Sequence, residues 1–135
     1  MLFRSGFTRS AYELTNDLAS RGASFFTSRL PLNQRLAIAR ALLHEPKLLL
    51  LDEPMNGLDP LGVEELRSLF CSLAREGKTL LVSSHILGDI AAMADTVGIL
   101  SGGSIRREFH MNDYQGAGKE LFEKEVLAEM KGDVL

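Results

Sequence analysis

Apolar residues recur along this chain with two different periods, and the changes of period mark where helices give way to strands. Ser10 and Glu13 stand at capping-box spacing ahead of Leu14 and Leu18, with Gly22 as a stop, which predicts a short helix over residues 11 to 20. The stretch ASFFTSRL that follows has no clear period. From Pro31, the residues Leu32, Leu36, Ala39 and Leu43 recur at helical spacing, proline suits the first helical position, and the helix is expected to end before Pro46. KLLLLD is a continuous apolar run without polar alternation, the pattern of a parallel strand covered on both faces. Asp59 is placed to cap a helix beginning at Pro60, with Leu66, Leu69, Phe70 and Leu73 facing inward and Gly77 closing it. TLLVSS reads as the next strand, so that strand, helix and strand form a right-handed unit with its two strands parallel. A helix across ILGDIAAMA then leads into the strand TVGIL, and SGGS is a turn into IRREFH, together a hairpin. From Lys119 to Lys131 Phe122, Val126 and Met130 form a stripe that predicts a helix packed on the domain, supported by Glu120 and Lys124 four residues apart.

These elements give an α/β fold with an open, mostly parallel sheet. A chain of 135 residues with 45% hydrophobic composition is long enough to bury a core. Fifteen basic and 18 acidic side chains leave a net charge of -3, and the basic residues are dispersed, which argues against nucleic acid as a partner. Cys71, the one cysteine, has no internal disulfide partner and reads as a small packing residue in a reducing compartment. No apolar run approaches the roughly 18 residues of a membrane span. The opening MLFRSGFTRSAY carries Arg4, Arg9 and several hydroxyls but lacks an apolar stretch and a cleavage site, so it reads as an ordinary N-terminus.

The candidate chemistry lies in residues 48 to 60, LLLLDEPMNGLDP. Ligand sites of open α/β sheets lie beyond the carboxyl ends of the strands, where Asp52 and Glu53 fall. A magnesium ion prefers oxygen ligands and keeps several waters, which suits Asp52, acting directly or through water. The second acid, one residue on, points elsewhere and suits the orientation of an attacking water in phosphoryl transfer, which nominates Glu53.

LLLLDEPMNGLDP followed by LLVSSH, with His85 32 residues after Glu53, resembles the ATP-binding subunit of ABC transporters, in which these segments are the Walker B strand, the D-loop and the switch histidine. The resemblance covers about residues 30 to 108 and is nearest to the drug and peptide exporter branch, through the SSH-plus-helix and ADTVGIL stretches. It implies a partial P-loop NTPase core with a mostly parallel sheet, a C-terminal hairpin and a helix. It divides the chain into residues 1–30, a divergent remnant of the helical subdomain, 31–110, the C-terminal part of the ATPase domain, and 111–135, an amphipathic helical region. By the same resemblance Asp52 holds magnesium through its water shell, Glu53 polarises the water and His85 contacts the γ-phosphate of ATP. Asn56 and Asp59 sit at the interface with a second ATP-binding subunit, and a membrane permease is the other partner, at the cytoplasmic face. Met55 replaces a threonine common there, a change expected to matter little.

Two departures bear on activity. The family's signature commonly reads serine, leucine, glycine, methionine before Gln-Arg-Leu, its serine and glycine binding the γ-phosphate held by the opposite subunit. Here Gln34, Arg35 and Leu36 keep the register, but Arg29, Leu30, Pro31 and Leu32 precede them, and Pro31 has no amide hydrogen to donate. The second departure concerns the phosphate cradle, a strand, GxxxxGK[ST] and a helix in that order. The near match Gly77-Lys78-Thr79 has Ser72 where the first glycine belongs and lies between helix and strand, at a helix end with the wrong dipole for an anion. Losing about four charge-assisted hydrogen bonds at roughly 1.5 to 3 kcal/mol each removes some 6 kcal/mol or more, about four orders of magnitude in affinity. The expectation is therefore a truncated ATP-binding subunit of an ABC-type exporter that binds ATP weakly and does not hydrolyse it alone. A catalytically dead interaction module and a gene remnant are the alternatives. In the family the phosphate-loop strand lies between the strand ending near His85 and the one at residues 96 to 100, so a gap in the sheet is expected there.

Overall fold

The structure, a computed structural model, describes residues 2–3, 30–116 and 118–132; the helix expected over residues 11 to 20 lies outside them, as does Arg29. Within these residues five strands form one sheet in the order β2-β3-β1-β4-β5: β1 is Leu2–Phe3, β2 Leu48–Leu51, β3 Thr79–Val82, β4 Thr96–Ser101 and β5 Ser104–His110. The helices are α1 (Leu32–Leu42), α2 (Pro60–Arg75), α3 (Leu87–Met93) and α4 (Gly118–Lys131), with a 3-10 turn at Met111–Tyr114.

Helix α2 starts and stops on local signals. Asp59 is extended and its Oδ1 accepts the amide of Gly62 at 2.8 Å, while Pro60 fills the first position, where no amide hydrogen is needed. A side chain at Gly62 would place its Cβ 2.9 Å from that carboxylate oxygen, so the cap itself demands glycine. At the other end Gly77 takes a φ of 102°, its amide bonds Ala74 and the Lys78 amide bonds Leu73, both across the helix terminus. Leu66, Phe70 and Leu73 on the inward face join Leu49, Leu80, Val82 and Met93 in the main core.

Strands β2 and β3 are parallel, from Leu48 opposite Thr79 to Leu51 opposite Val82, and the ladder continues through the Ser83 amide on the Leu51 carbonyl at 2.9 Å. β4 and β5 form the expected hairpin, whose turn residues Gly102 and Gly103 both have positive φ. Helix α4 packs on this hairpin: Phe122 and Val126 are buried with Phe109, Val97 and Ile90 in a second cluster. Met130, the third residue of the expected stripe, is half exposed.

Four expectations are corrected. KLLLLD is covered on one face only: Leu49 is buried but Leu50 is 69% exposed and Leu48 is exposed beside it. Helix α1 forms, yet it turns Ile38 and Leu42 inward and leaves Leu32, Leu36 and Leu43 exposed, because this helix carries apolar residues around its whole circumference. Pro31 is its extended N-cap, one residue before the helix. The slot between β3 and β4 is neither closed nor empty, since the Leu2–Phe3 backbone lies there antiparallel to both, Leu2 opposite Leu81 and Thr96.

Candidate functional site

The acids fall at the carboxyl end of β2, and β3 beside it delivers two further polar groups. Register decides which. Because Leu51 stands opposite Val82, the next residue pair is Asp52 and Ser83, and the Ser83 hydroxyl donates to Asp52 Oδ1 at 2.5 Å. The Ser83 hydroxyl oxygen in turn accepts the Glu53 amide at 2.8 Å. Two residues further on, His85 Nδ1 lies 3.0 and 3.1 Å from the two carboxylate oxygens of Glu53. An ionised carboxylate only accepts, so Nδ1 carries the hydrogen in this pair and Nε2 is turned away from it. The site is open: the Glu53 side chain is 37% and the His85 side chain 68% exposed.

Glu53 itself has a φ of 45°, a left-handed conformation that costs a side-chain-bearing residue free energy unless its surroundings hold it. Its carbonyl accepts the Asn56 amide at 3.1 Å, closing the turn that carries residues 53 to 56 away from the sheet. Met55 is buried in the main core under this turn, a packing role for a position expected to matter little. Gln34 reaches the same loop from α1, its Nε2 donating to the Pro54 carbonyl at 2.6 Å. The structure thus brings Asp52, Glu53, His85 and Gln34 to one loop, with Asn56 in its turn and Asp59 capping the helix that follows. Pro31 is exposed at the start of α1. Ser83 was not singled out by sequence; the signal was its place two residues before His85, which becomes specific only once the strand register is known.

Gly77-Lys78-Thr79 lies at the opposite end of the sheet. The Lys78 side chain is buried with Nζ on the Pro46 carbonyl at 3.0 Å, ahead of β2, and the four residues of β3, at about 3.3 Å each, separate it from Ser83. That lysine is fixed at the amino ends of the strands and serves the fold.

Asp52 is exposed, and its carboxylate and the Ser83 hydroxyl are hard oxygen donors of the kind a hydrated divalent cation accepts. Among the described residues no group of three or more His, Cys, Asp or Glu is placed to hold a metal ion by itself. The donors therefore fit an ion that completes its shell with water and a ligand's own oxygens.

A family model described as "AAA domain, putative AbiEii toxin, Type IV TA system" matches residues 12–88. The uncharacterized ABC transporter ATP-binding protein YcbN of Bacillus subtilis is 51% identical over 98 residues, which make up 72% of this chain and 32% of that protein. This chain belongs to the ABC-type ATPases. It is covered over more than half its length by the AAA-domain model, and further relatives agree with the ABC assignment. The bacitracin transport ATP-binding protein BcrA of Bacillus licheniformis is 45% identical over 78% of this chain and 35% of its own length. The lantibiotic transport ATP-binding protein SrtF of Streptococcus pyogenes is 44% identical over 76% of this chain and 44% of its own. Among solved structures, a dimeric bacterial ABC transporter cassette, MJ0796, superimposes with a TM-score of 0.59 at 26% identity, over 79% of this chain and 51% of the cassette. The ABC-type chain thus spans less than half the length of these curated relatives.

Proposed function

We propose that this chain supplies the acid-and-histidine side of the ATP site in an ABC transporter ATP-binding protein that serves the export of antimicrobial peptides. The observation that carries this is the convergence of Asp52, Glu53 and His85 at the carboxyl ends of two adjacent parallel strands. The peptide class is supported by BcrA and SrtF, whose names give bacitracin and lantibiotics.

In this reading Asp52 binds a hydrated magnesium ion, which when bound offsets the negative charge of the nucleotide phosphates. Glu53 accepts a proton from the attacking water. Its carboxylate is taken up by His85 Nδ1, so it becomes available to water when His85 turns towards the terminal phosphate. Asn56 and Asp59 face a second ATP-binding subunit, and Arg29, Pro31 and Gln34 occupy the signature position, where Pro31 removes one amide donor. Residues 31–110 form the ATPase portion, 1–30 a remnant of the helical subdomain and 111–135 the helical region that follows. The permease anchors the subunit at the cytoplasmic face; none of the described helices is long and apolar enough to cross a membrane.

A second reading, a catalytically silent docking module, is favoured by one feature. Within these 135 residues the nearest match to a phosphate loop is the helix end at Gly77, which cannot cradle an anion. Phosphate release by the purified polypeptide tests between them. Turnover is expected at background for a chain without a phosphate grip; magnesium-dependent turnover that Glu53→Gln abolishes would rule out the silent module and show catalysis by this chain alone. For the transport reading, loss of the gene is expected to lower resistance to a bacitracin-type or lantibiotic peptide. Unchanged resistance to both classes contradicts it.

A further inference from the structure

The Ser83 side chain touches both acids. Its oxygen accepts the Glu53 amide at 2.8 Å while its single hydroxyl hydrogen goes to Asp52 Oδ1 at 2.5 Å. A hydroxyl has one hydrogen and two lone pairs, so spending the hydrogen on Asp52 commits the oxygen to accept. The two bonds form a chain, amide to hydroxyl to carboxylate, in which each bond polarises the next. One end is the negative charge of Asp52. The other is the backbone of Glu53, held in the left-handed region at φ 45°.

The remaining contacts at Glu53 act elsewhere: the Asn56 amide on its carbonyl and His85 on its carboxylate. Ser83 holds its amide, and Ser83 links that amide to Asp52. The position of Ser83 is itself fixed, because its own amide bonds the Leu51 carbonyl at 2.9 Å and extends the β2–β3 ladder by one residue.

We infer that Ser83 is a positioning residue that registers the two acids: its hydroxyl ties the Glu53 backbone to the Asp52 carboxylate and so sets the direction in which Glu53 presents its own. The significance of this for phosphoryl transfer rests on the roles proposed for Asp52 and Glu53, but the hydrogen-bond chain is testable without nucleotide or metal.

The test uses the whole chain, its Ser83→Ala and Ser83→Thr variants, and amide hydrogen exchange read by NMR. In Ser83→Ala the Glu53 amide is expected to exchange about tenfold faster, the loss of one hydrogen bond, with the amides of Leu81 and Val82 unchanged. Ser83→Thr, which keeps the hydroxyl, restores protection. The nitrogen shifts of the His85 ring, which report its bond to Glu53, move in Ser83→Ala and return in Ser83→Thr. A Glu53 amide whose exchange is the same in Ser83→Ala, or one that accelerates no more than the β3 amides do, overturns the proposal. A parallel magnesium titration separates the two levels. If magnesium leaves the Asp52 signals unmoved in the unaltered chain, the cation role of Asp52 fails, while the clamp is decided by the metal-free exchange.

Discussion

At the scale of single residues, two glutamates share an unusual backbone. Glu45, with φ 50°, and Glu53, with φ 45°, both stand in the left-handed region and both precede a proline, one at each end of β2. Their surroundings differ. Glu53 is held by Ser83, His85 and the Asn56 amide, so its strain is bound up with the site. Glu45 ends helix α1, its amide on the Leu42 carbonyl, and its buried Oε1 has no hydrogen-bond partner among the described residues. Glu45→Gly is therefore expected to stabilise the fold by about 1 kcal/mol, since glycine adopts positive φ without penalty and the buried oxygen is removed. Urea denaturation checks this; a drop in the midpoint would show that the Glu45 side chain contributes more than its backbone costs. Tyr114 offers a titration at the same scale. Its hydroxyl donates to Glu125 Oε2 at 2.7 Å, and this bond, with desolvation and the nearby carboxylate charge, raises its pKa above the usual tyrosine value. The folded pKa exceeds the unfolded one, so the stability it contributes is present below the ordinary tyrosine pKa and is lost as pH rises through the raised value. Ultraviolet titration should show the Tyr114 transition moving down in Glu125→Gln; an unmoved transition would mean the bond does not set it.

At the scale of elements, Asp59→Ala should cost about 1 kcal/mol by uncapping α2, measurable as a lower urea midpoint with an unchanged slope. This helix was legible in the sequence because all its determinants are local: Asp59, Pro60, the Leu66, Phe70 and Leu73 stripe, and Gly77. The hairpin and α3 were legible for the same reason. Which face α1 buries was not, because Leu32, Leu36 and Leu43 on one side compete with Ile38 and Leu42 on the other, and only tertiary contacts choose. The one-sided cover of β2 was hidden likewise, since four leucines carry no alternation to say which side meets helix α2. β1 was illegible because two residues have no period, and their place depends on Leu81 and Thr96, far along the chain. At the site the acids and His85 announced themselves by motif. Ser83 did not, because a serine before a histidine acquires meaning only when the β2–β3 register sets it against Asp52.

At the scale of the molecule, the sheet presents Leu48, Leu50 and Leu81 to the outside along β2, an apolar face on the strand that is outermost among the described residues. The 135-residue polypeptide is accordingly expected to self-associate. Leu50→Lys should shift its sedimentation towards the monomer, and an unchanged distribution would place the contact elsewhere. The same molecule sets its acids and its GKT segment at opposite ends of the parallel strands, so the two cannot cooperate on one nucleotide. The most direct test is an NMR titration of the purified chain with magnesium ATP. Expected are unsaturated shifts confined to residues 52–56 and 83–85, with a dissociation constant on the order of millimolar or weaker and no response at Gly77 to Thr79. Saturation at micromolar nucleotide, or shifts centred on Gly77-Lys78-Thr79, would contradict the reading of this chain as the acid side of an ATP site without its phosphate grip.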